Sequence, residues 1–137
     1  MESILDAGFL YALVDESDEH NFAVTKAMQN YRGRIILPVP AITEVAYLVK
    51  KYCGVIALAE FLESLVTVEY EFETPTAEDY KRAAEVLRKY NDANSDFVDA
   101  CIVAIAERLN VTKILTVDRR HFGIFKPRHC AAFEILP

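Results

Sequence analysis

The segment "KILTVDRRHF", residues 113–122, runs from a short apolar stretch straight into a cluster of charge. Ile114, Leu115 and Val117 are typical of a buried strand, and Asp118 follows them directly. A carboxylate at the tip of a core strand can simply begin a turn. It gains a functional meaning only if other acidic side chains reach the same place.

The chain around this segment alternates between short apolar strands and helices. The other strands are predicted at residues 3–6, 34–39, 66–72 and 131–136, with the opening segment contributing 112–117. Helices are predicted at residues 7–14, 20–31, 41–52, 55–65, 77–90 and 96–109. This alternation indicates an α/β fold whose central, mostly parallel sheet is covered on both faces, in one domain spanning residues 1–137.

Composition limits the class of protein. The 137 residues are 53% hydrophobic and 26% charged, which is typical of a globular chain. No apolar run reaches the ~18 residues of a membrane helix, and residues 1–3 lack the basic start of a signal peptide. The net charge of -6 argues against a surface coated in basic residues for nucleic-acid binding. Cys53, Cys101 and Cys130 are widely spaced, which predicts reduced thiols in a cytoplasmic protein.

Two acidic residues in the first third of the chain stand in apolar surroundings. Asp6 ends the first strand, in "SILDAGFLYALV", and an N-cap of the next helix is the simpler explanation. Glu44, in "PAITEVAYLVKKY", is predicted in the first helical turn, where an acid favourably meets the helix dipole. Glu44 also lies near the apolar face of that helix, which favours a role beyond capping.

Asp99 is the most anomalous acid of the sequence. It is the only residue of "FVDACIVAIA" (97–106) that is not hydrophobic, and a helix apolar on all sides is buried. Burying an unpaired carboxylate costs several kcal/mol or shifts its pKa. The alternative is a capping box in which Asp96 is the N-cap and Asp99 its partner three residues later. Asp96 and Asp15 are possible auxiliaries, each with a capping or turn explanation.

The carboxyl ends of parallel strands and the helical turns beyond them meet at one edge of such a sheet. Asp6, Glu44, Asp99 and Asp118 are therefore expected to share a cleft. Carboxylates packed together need a counterion, and no His/Cys set competes for zinc. Mg²⁺, with Mn²⁺ as a substitute, is the predicted cofactor.

The segments "ILDAGFLYAL", "ITEV", "DFVDACIVAIAERLN" and "ILTVDRRHF" resemble, in order and spacing, the acidic motifs of PIN-domain ribonucleases. The resemblance is greatest to VapC-type toxins of toxin–antitoxin pairs and covers essentially the whole chain. It implies an α/β/α fold, Mg²⁺- or Mn²⁺-dependent RNA cleavage, frequent homodimers and a cognate antitoxin. The family's four acids fall on Asp6, Glu44, Asp99 and Asp118. The family often has Thr or Ser where this chain has Ala7.

The resemblance and the residues together predict an endoribonuclease that uses a metal-activated water. Metal ligands would be Asp6, Asp99 and Asp118, while Glu44 would hold a second metal or orient the water. Arg119 and Arg120 are predicted to meet substrate phosphate. Thr116, and Thr43 nearby, are predicted to supply hydroxyls, either toward the substrate or to orient a ligand. His121 is interpreted as a structural or surface residue, and the aromatic residues Tyr47, Tyr80 and Phe97 are predicted to lie in the core.

Two other functions are compatible with an acidic α/β chain. A receiver-like signalling domain would need an acid pair after the first strand, and Asp6-Ala7 lacks it. A catalytically weak module that uses the same cleft only to bind RNA or a protein stays open. The apolar helices before Leu65 also predict a homodimer, closed further by an antitoxin segment.

Overall fold

Five parallel strands form a single central sheet in the computed structural model, which describes all of residues 1–137. The strand order is β3-β2-β1-β4-β5. The strands are β1 (Glu2–Leu5), β2 (Arg34–Pro38), β3 (Tyr70–Glu73), β4 (Lys113–Leu115) and β5 (Glu134–Leu136).

Helices connect every pair of consecutive strands. They are α1 (Ala7–Val14), α2 (Asn21–Asn30), α3 (Val39–Cys53), α4 (Val55–Thr67), α5 (Ala77–Lys89), α6 (Phe97–Leu109) and α7 (Arg119–Ile124). Crossovers between parallel strands are right-handed, so connections that run in opposite directions along the sheet cover opposite faces. The first four helices thus cover one face and the last three the other, which confirms the predicted three-layer α/β/α fold.

The sheet changes direction at β1, and this determines where a site can form. The chain runs outward from β1 through β2 to β3, then returns to place β4 on the free side of β1. Leu5 is in register with Leu115, and the Asp6 N–H donates to the Leu115 carbonyl at 2.9 Å. The strand ends that carry Asp6 and Asp118 are therefore adjacent, at the position where α/β sheets bind ligands.

The core contains 29 clustered apolar residues and is deepest along α6. Every residue from Val98 to Ala106 is buried, including Asp99. A helix buried on nearly all sides is fixed in position, because its neighbours leave no room for it to move. This rigidity holds the first turn of α6 against the ends of β1 and β4.

Several predicted boundaries were wrong. The strand predicted at 66–72 begins only at Tyr70, because α4 continues to Thr67 while Phe61 and Leu65 pack in the core. Packing here overrides the strand propensity of the β-branched residues at 66–68. Helix α7 was not predicted, since its six residues are too few to show a period.

Three aromatic residues expected in the core are exposed: Tyr47 by 64%, Tyr80 by 49% and Phe97 by 51%. On α5 the buried residues are Asp79, Ala83 and Val86. Asp79 is held inward by Arg108, whose Nε donates to it at 3.0 Å. This ion pair rotates α5 so that Tyr80 faces outward.

No helix of the structure is both long and apolar enough to span a bilayer. The three cysteines are unpaired thiols: Cys53 is exposed, Cys101 buried and Cys130 half-buried.

Candidate active site

Asp6 and Thr116 form the floor of the cleft at the ends of β1 and β4. Both are buried, and the Thr116 hydroxyl donates to Asp6 Oδ2 at 2.8 Å. The other oxygen of Asp6 accepts the Ala7 N–H at 2.8 Å, so Asp6 is also the N-cap of α1. Thr116 also accepts the Asp118 N–H at 2.9 Å. One buried hydroxyl thus orients a carboxylate and fixes the turn that carries the next one.

Burial dominates the electrostatics of Asp6. It raises the pKa of Asp6 to about 6, against the lowering effect of the bonds from Thr116 and Ala7. The charges of Asp96 and Asp118 raise this pKa further. A carboxyl group whose pKa is raised to about 6 despite two hydrogen bonds is strongly desolvated and has other acids nearby.

Glu44 reaches the same cleft from α3. The helix starts at Val39, with Pro40 in its first turn, so Glu44 lies in the second turn and not in the first as predicted. Proline has no N–H that would need a partner in the first turn, so the helix can include Pro40 and begin two residues earlier than predicted. Glu44 is half-buried, and burial followed by the charges of Asp96 and Asp6 raises its pKa.

Asp99 is both a helix-capping partner and a buried acid. The Asp96 side chain accepts the Asp99 N–H at 2.9 Å and Asp99 Oδ2 accepts the Asp96 N–H at 3.1 Å, which is a complete capping box. Asp99 is also buried beside other acids. Burial, then the charges of Asp96 and Asp6, raise the pKa of Asp99 to about 8. A cap alone gives no reason to bury an unneutralised carboxylate.

Asp118 follows β4 and caps the short helix α7, accepting the His121 N–H at 3.0 Å. The His121 ring returns to the same residue, with Nδ1 at 2.6 Å from Asp118 Oδ2. The same nitrogen lies 3.8 Å from Asp99 Oδ2. His121 therefore lies between two of the predicted ligands. This position was not predicted from the sequence.

The side chains of the cleft are of the chemical type that binds a hard divalent cation, but they are not arranged around one point. The cleft offers carboxylate oxygens and one imidazole, and three of the carboxyl groups, those of Asp6, Glu44 and Asp99, have raised pKa values. As the side chains stand, no three acidic, histidine or cysteine residues form a group able to hold a metal ion. Three of the acids are turned to local partners: Asp6 to Thr116, Asp99 to Asp96 and Asp118 to His121. Carboxylate oxygens have further lone pairs, and rotation of these side chains would free them to bind a cation.

The basic residues behind β4 differ in their surroundings. Arg119 donates to the carbonyl oxygen of Pro137 at the end of the chain, and so bridges away from the acids. Arg120 is exposed and lines a cavity of about 490 Å³ together with Asp118 and His121. Arg120 is therefore the better placed of the two to meet a substrate.

Asp96 and His121 contribute more to the cleft than was predicted from the sequence. Asp96 raises the pKa of Asp6, Glu44 and Asp99, so it belongs to the acidic cluster. Both Asp96 and His121 lie three residues from a predicted ligand in a helical first turn, and that spacing was the available signal. Asp15, by contrast, accepts hydroxyl bonds from Tyr11 and Ser17 at the end of α1, which is a turn role.

Comparison with known proteins covers nearly the whole chain. The family model of the PIN domain matches residues 3–124. Ribonuclease VapC26 of Mycobacterium tuberculosis (strain ATCC 25618 / H37Rv) is 29% identical over 134 residues, which are 98% of this chain and 99% of that protein.

Solved structures share the fold at low identity. The crystal structure of M. tuberculosis VapC20, a sarcin-ricin loop cleaving toxin, has a TM-score of 0.81 at 17% identity, covering 88% of this chain and 92% of that one. A toxin–antitoxin complex from Klebsiella pneumoniae gives 0.67 at 18% identity, with 90% and 92% covered. VapBC2 from Rickettsia felis, bound to a DNA fragment from its promoter, gives 0.71 at 14% identity over the full length of both chains.

Proposed function

The chain belongs to the PIN-domain family, and from this premise we propose that it is an endoribonuclease that cleaves RNA phosphodiester bonds with the help of a bound divalent cation. We assign this activity to one nuclease domain over residues 1–137. The observation that carries the proposal is the convergence of Asp6, Glu44, Asp99 and Asp118 at the sheet edge. The 29% identity to a ribonuclease along almost the entire chain also supports it.

The cation is the counterion that this group of acids lacks. Asp6 and Asp99 are buried and have raised pKa values, and no Lys or Arg is bonded to either. A donor set made mainly of carboxylate oxygens favours Mg²⁺ and Mn²⁺ over softer metals. We assign Asp6, Asp99 and Asp118 as the residues that would hold it. When bound, the cation supplies charge neutralisation at the scissile phosphate and a more acidic water.

The other residues of the cleft position these ligands. Thr116 is buried and bonded to both Asp6 and the backbone of Asp118, so it orients ligands and does not face the substrate. This hydroxyl compensates for Ala7, where the family often has a hydroxyl. Asp96 holds Asp99 through the capping box. Glu44 lies across the cleft, free of any Lys or Arg partner, and orients the attacking water.

Substrate contacts come from the rim. Arg120 presents a planar fork of donors beside Asp118, suited to bind a phosphate of the RNA backbone. Arg82, one of the basic residues on α5, is not available for this role. Its guanidinium is bonded to Glu107 at 2.7 Å and to Glu85 at 3.2 Å.

We further propose that the protein is the toxin of a cytoplasmic toxin–antitoxin pair and forms a homodimer. The structural relatives include toxin–antitoxin complexes. The hairpin of α3 and α4 leaves large apolar side chains exposed, which a second subunit or an antitoxin segment would cover. These are Tyr47, Tyr52, Val55, Ile56 and Val66.

A module that binds RNA without cleaving it is the second candidate. The arrangement that favours it is the present rotation of Asp6, Asp99 and Asp118 toward local partners, with no three groups gathered around one point. In that case RNA would bind without being cut, and Mg²⁺ or Mn²⁺ would make no difference.

RNA cleavage separates the two candidates. Purified protein is incubated with single-stranded and structured RNA in Mg²⁺, in Mn²⁺ and in excess EDTA, and the products are resolved by length. We expect defined fragments only with the metal. Glu44→Gln removes the proposed water-orienting group and is expected to reduce cleavage at least 100-fold, while the exposed Glu63→Gln on α4 serves as the control. Equal cleavage by wild type with and without EDTA would reject the metal mechanism.

A further inference from the structure

An apolar cavity of about 440 Å³ lies directly beside the acidic cleft. Two aromatic side chains line it, Tyr80 from α5 and Phe97 from α6. Their ring centroids are 6.3 Å apart and the ring planes differ by only 13°, so the two rings are stacked nearly parallel to each other. Each ring is about half exposed, at 49% and 51%.

The cavity and the acidic cleft share residues. Glu44 and Asp96, whose charges belong to the cleft, also line the cavity. A molecule that places a phosphate at the carboxylate cluster therefore extends its neighbouring groups over Tyr80 and Phe97.

The chemistry of the lining indicates what kind of group enters. None of the ten lining residues is Lys or Arg, and two are carboxylates, so the cavity repels a phosphate. A flat, uncharged ring fits the aromatic surface, and the volume exceeds that of one nucleobase. Recognition of unpaired RNA typically stacks a base on exposed aromatic side chains.

We propose that this cavity receives one nucleobase of the RNA strand, next to the scissile phosphate, stacked on Tyr80 and Phe97. The inference rests on the ribonuclease function proposed above and adds a subsite that determines specificity. Glu44 and Asp96 accept hydrogen bonds and do not donate them when ionised. They favour a base that carries an exocyclic amino group, which adenine, cytosine and guanine have and uracil lacks.

A protein surface is a poorer occupant than a base. A partner that sealed the cavity would bury Glu44 and Asp96 and remove their remaining water, and no basic side chain of this chain lies there to offset that cost. A nucleobase covers the rings and leaves the carboxylate side of the cavity open to the cleft.

The test combines the removal of single bases from the RNA with the removal of the two aromatic side chains from the protein. A single-stranded RNA that the wild type cuts is made with one base removed, leaving the ribose, at each nucleotide around the cleavage point. One such position is expected to lose about 5- to 150-fold in kcat/KM, the equivalent of roughly 1–3 kcal/mol of stacking. In the double variant Tyr80→Ala/Phe97→Ala, the intact RNA should be cut more slowly by a similar factor. The penalty for removing that base should then fall to within about twofold.

Controls separate the subsite from folding and from the parent activity. Phe22→Ala removes an aromatic residue on α2 that is 79% exposed. It should change neither the cleavage rate of the intact RNA nor that of the RNA lacking one base. Tyr80→Leu/Phe97→Leu keeps the apolar volume and so preserves the fold if the alanine pair does not. In this variant, too, removing the base should no longer lower kcat/KM. Uracil at the sensitive position should be cut more slowly than adenine or cytosine.

Different failures have different meanings. A base-removal penalty that persists in the double variants would overturn the subsite while leaving the ribonuclease function intact. A double variant that sediments as a monomer where the wild type is a dimer would also overturn it, because the rings would then contact a second copy. A wild type that cuts no RNA in Mg²⁺ or Mn²⁺ would reject the ribonuclease function, and the subsite with it.

Discussion

Replacing Asp99 by asparagine distinguishes a metal ligand from a helix cap. The change removes one charge from the cleft but keeps an oxygen that can accept the Asp96 N–H, so the capping box survives. In the metal-free protein Asp99 has its pKa raised from 3.8 to about 8. The folded state thus binds more protons than the unfolded chain across that range, and by linkage its stability falls as pH rises.

The size of this effect follows from the same shift. Each pH unit between the unfolded and folded pKa values costs about 1.4 kcal/mol, so keeping Asp99 protonated costs the folded, metal-free protein on the order of 4 kcal/mol between pH 4 and pH 7. Asp99→Asn removes this cost, less the burial penalty of the new amide. We expect its unfolding free energy at pH 7 in EDTA to rise by about 2–4 kcal/mol, with no gain at pH 4.

Asp79→Asn is a matched control. Asp79 is also buried and also the third residue of a capping box, but Arg108 neutralises it. Urea denaturation in EDTA at pH 4 and pH 7, followed by RNA cleavage in Mg²⁺, compares the variants. Asp99→Asn should be stabilised and inactive, whereas Asp79→Asn should be destabilised and active. The reasoning is refuted if Asp99→Asn loses roughly 0.3–1 kcal/mol, as expected for a cap, and still cleaves RNA.

Three further outcomes are expected. Thr116→Val removes the hydroxyl that orients Asp6 and should lower metal affinity and activity 10- to 100-fold, with unchanged metal titration arguing against a positioning role. Arg120→Ala should weaken RNA binding and reduce its salt slope by about 1, while Arg119→Ala, already bonded to Pro137, should change the slope little; equal slopes in fluorescence titrations would contradict the assignment. Sedimentation at micromolar concentration should show a homodimer, and Ile56→Lys in the exposed α4 face should make it a monomer, whereas a monomeric wild type would rule out the dimer.

The positions of the acids at the strand ends could be predicted from the sequence, but the directions of the helical side chains could not. Asp6 and Asp118 could be placed because each ends an apolar strand, and parallel strands deliver their carboxyl ends to one edge. Asp99 could be singled out because it is the one acid in an otherwise apolar helical segment, where burying a charge is costly. These inferences depend on periodicity, which the chain displays directly.

What the sequence missed depends on how the helices are rotated. Tyr80 was assigned to the core, but the ion pair between Asp79 and Arg108 turns α5 so that it faces the cavity. His121 lies three residues from Asp118, a spacing visible in the sequence, but its approach to Asp99 depends on where the tertiary fold places the first turn of α6. Such contacts join residues far apart in sequence, and no local pattern records them.

The central claim, that these carboxylates bind a divalent cation, is tested most directly by calorimetric titration of Mn²⁺ and Mg²⁺ into wild-type protein. The titration is done at pH 7 in two buffers whose ionisation enthalpies differ. Because Asp99 retains its proton near that pH, binding must displace it. We predict one or two sites per chain, with an apparent enthalpy that depends on the buffer and reports the release of about one proton. Absence of binding, or binding with the same enthalpy in both buffers, would contradict the account.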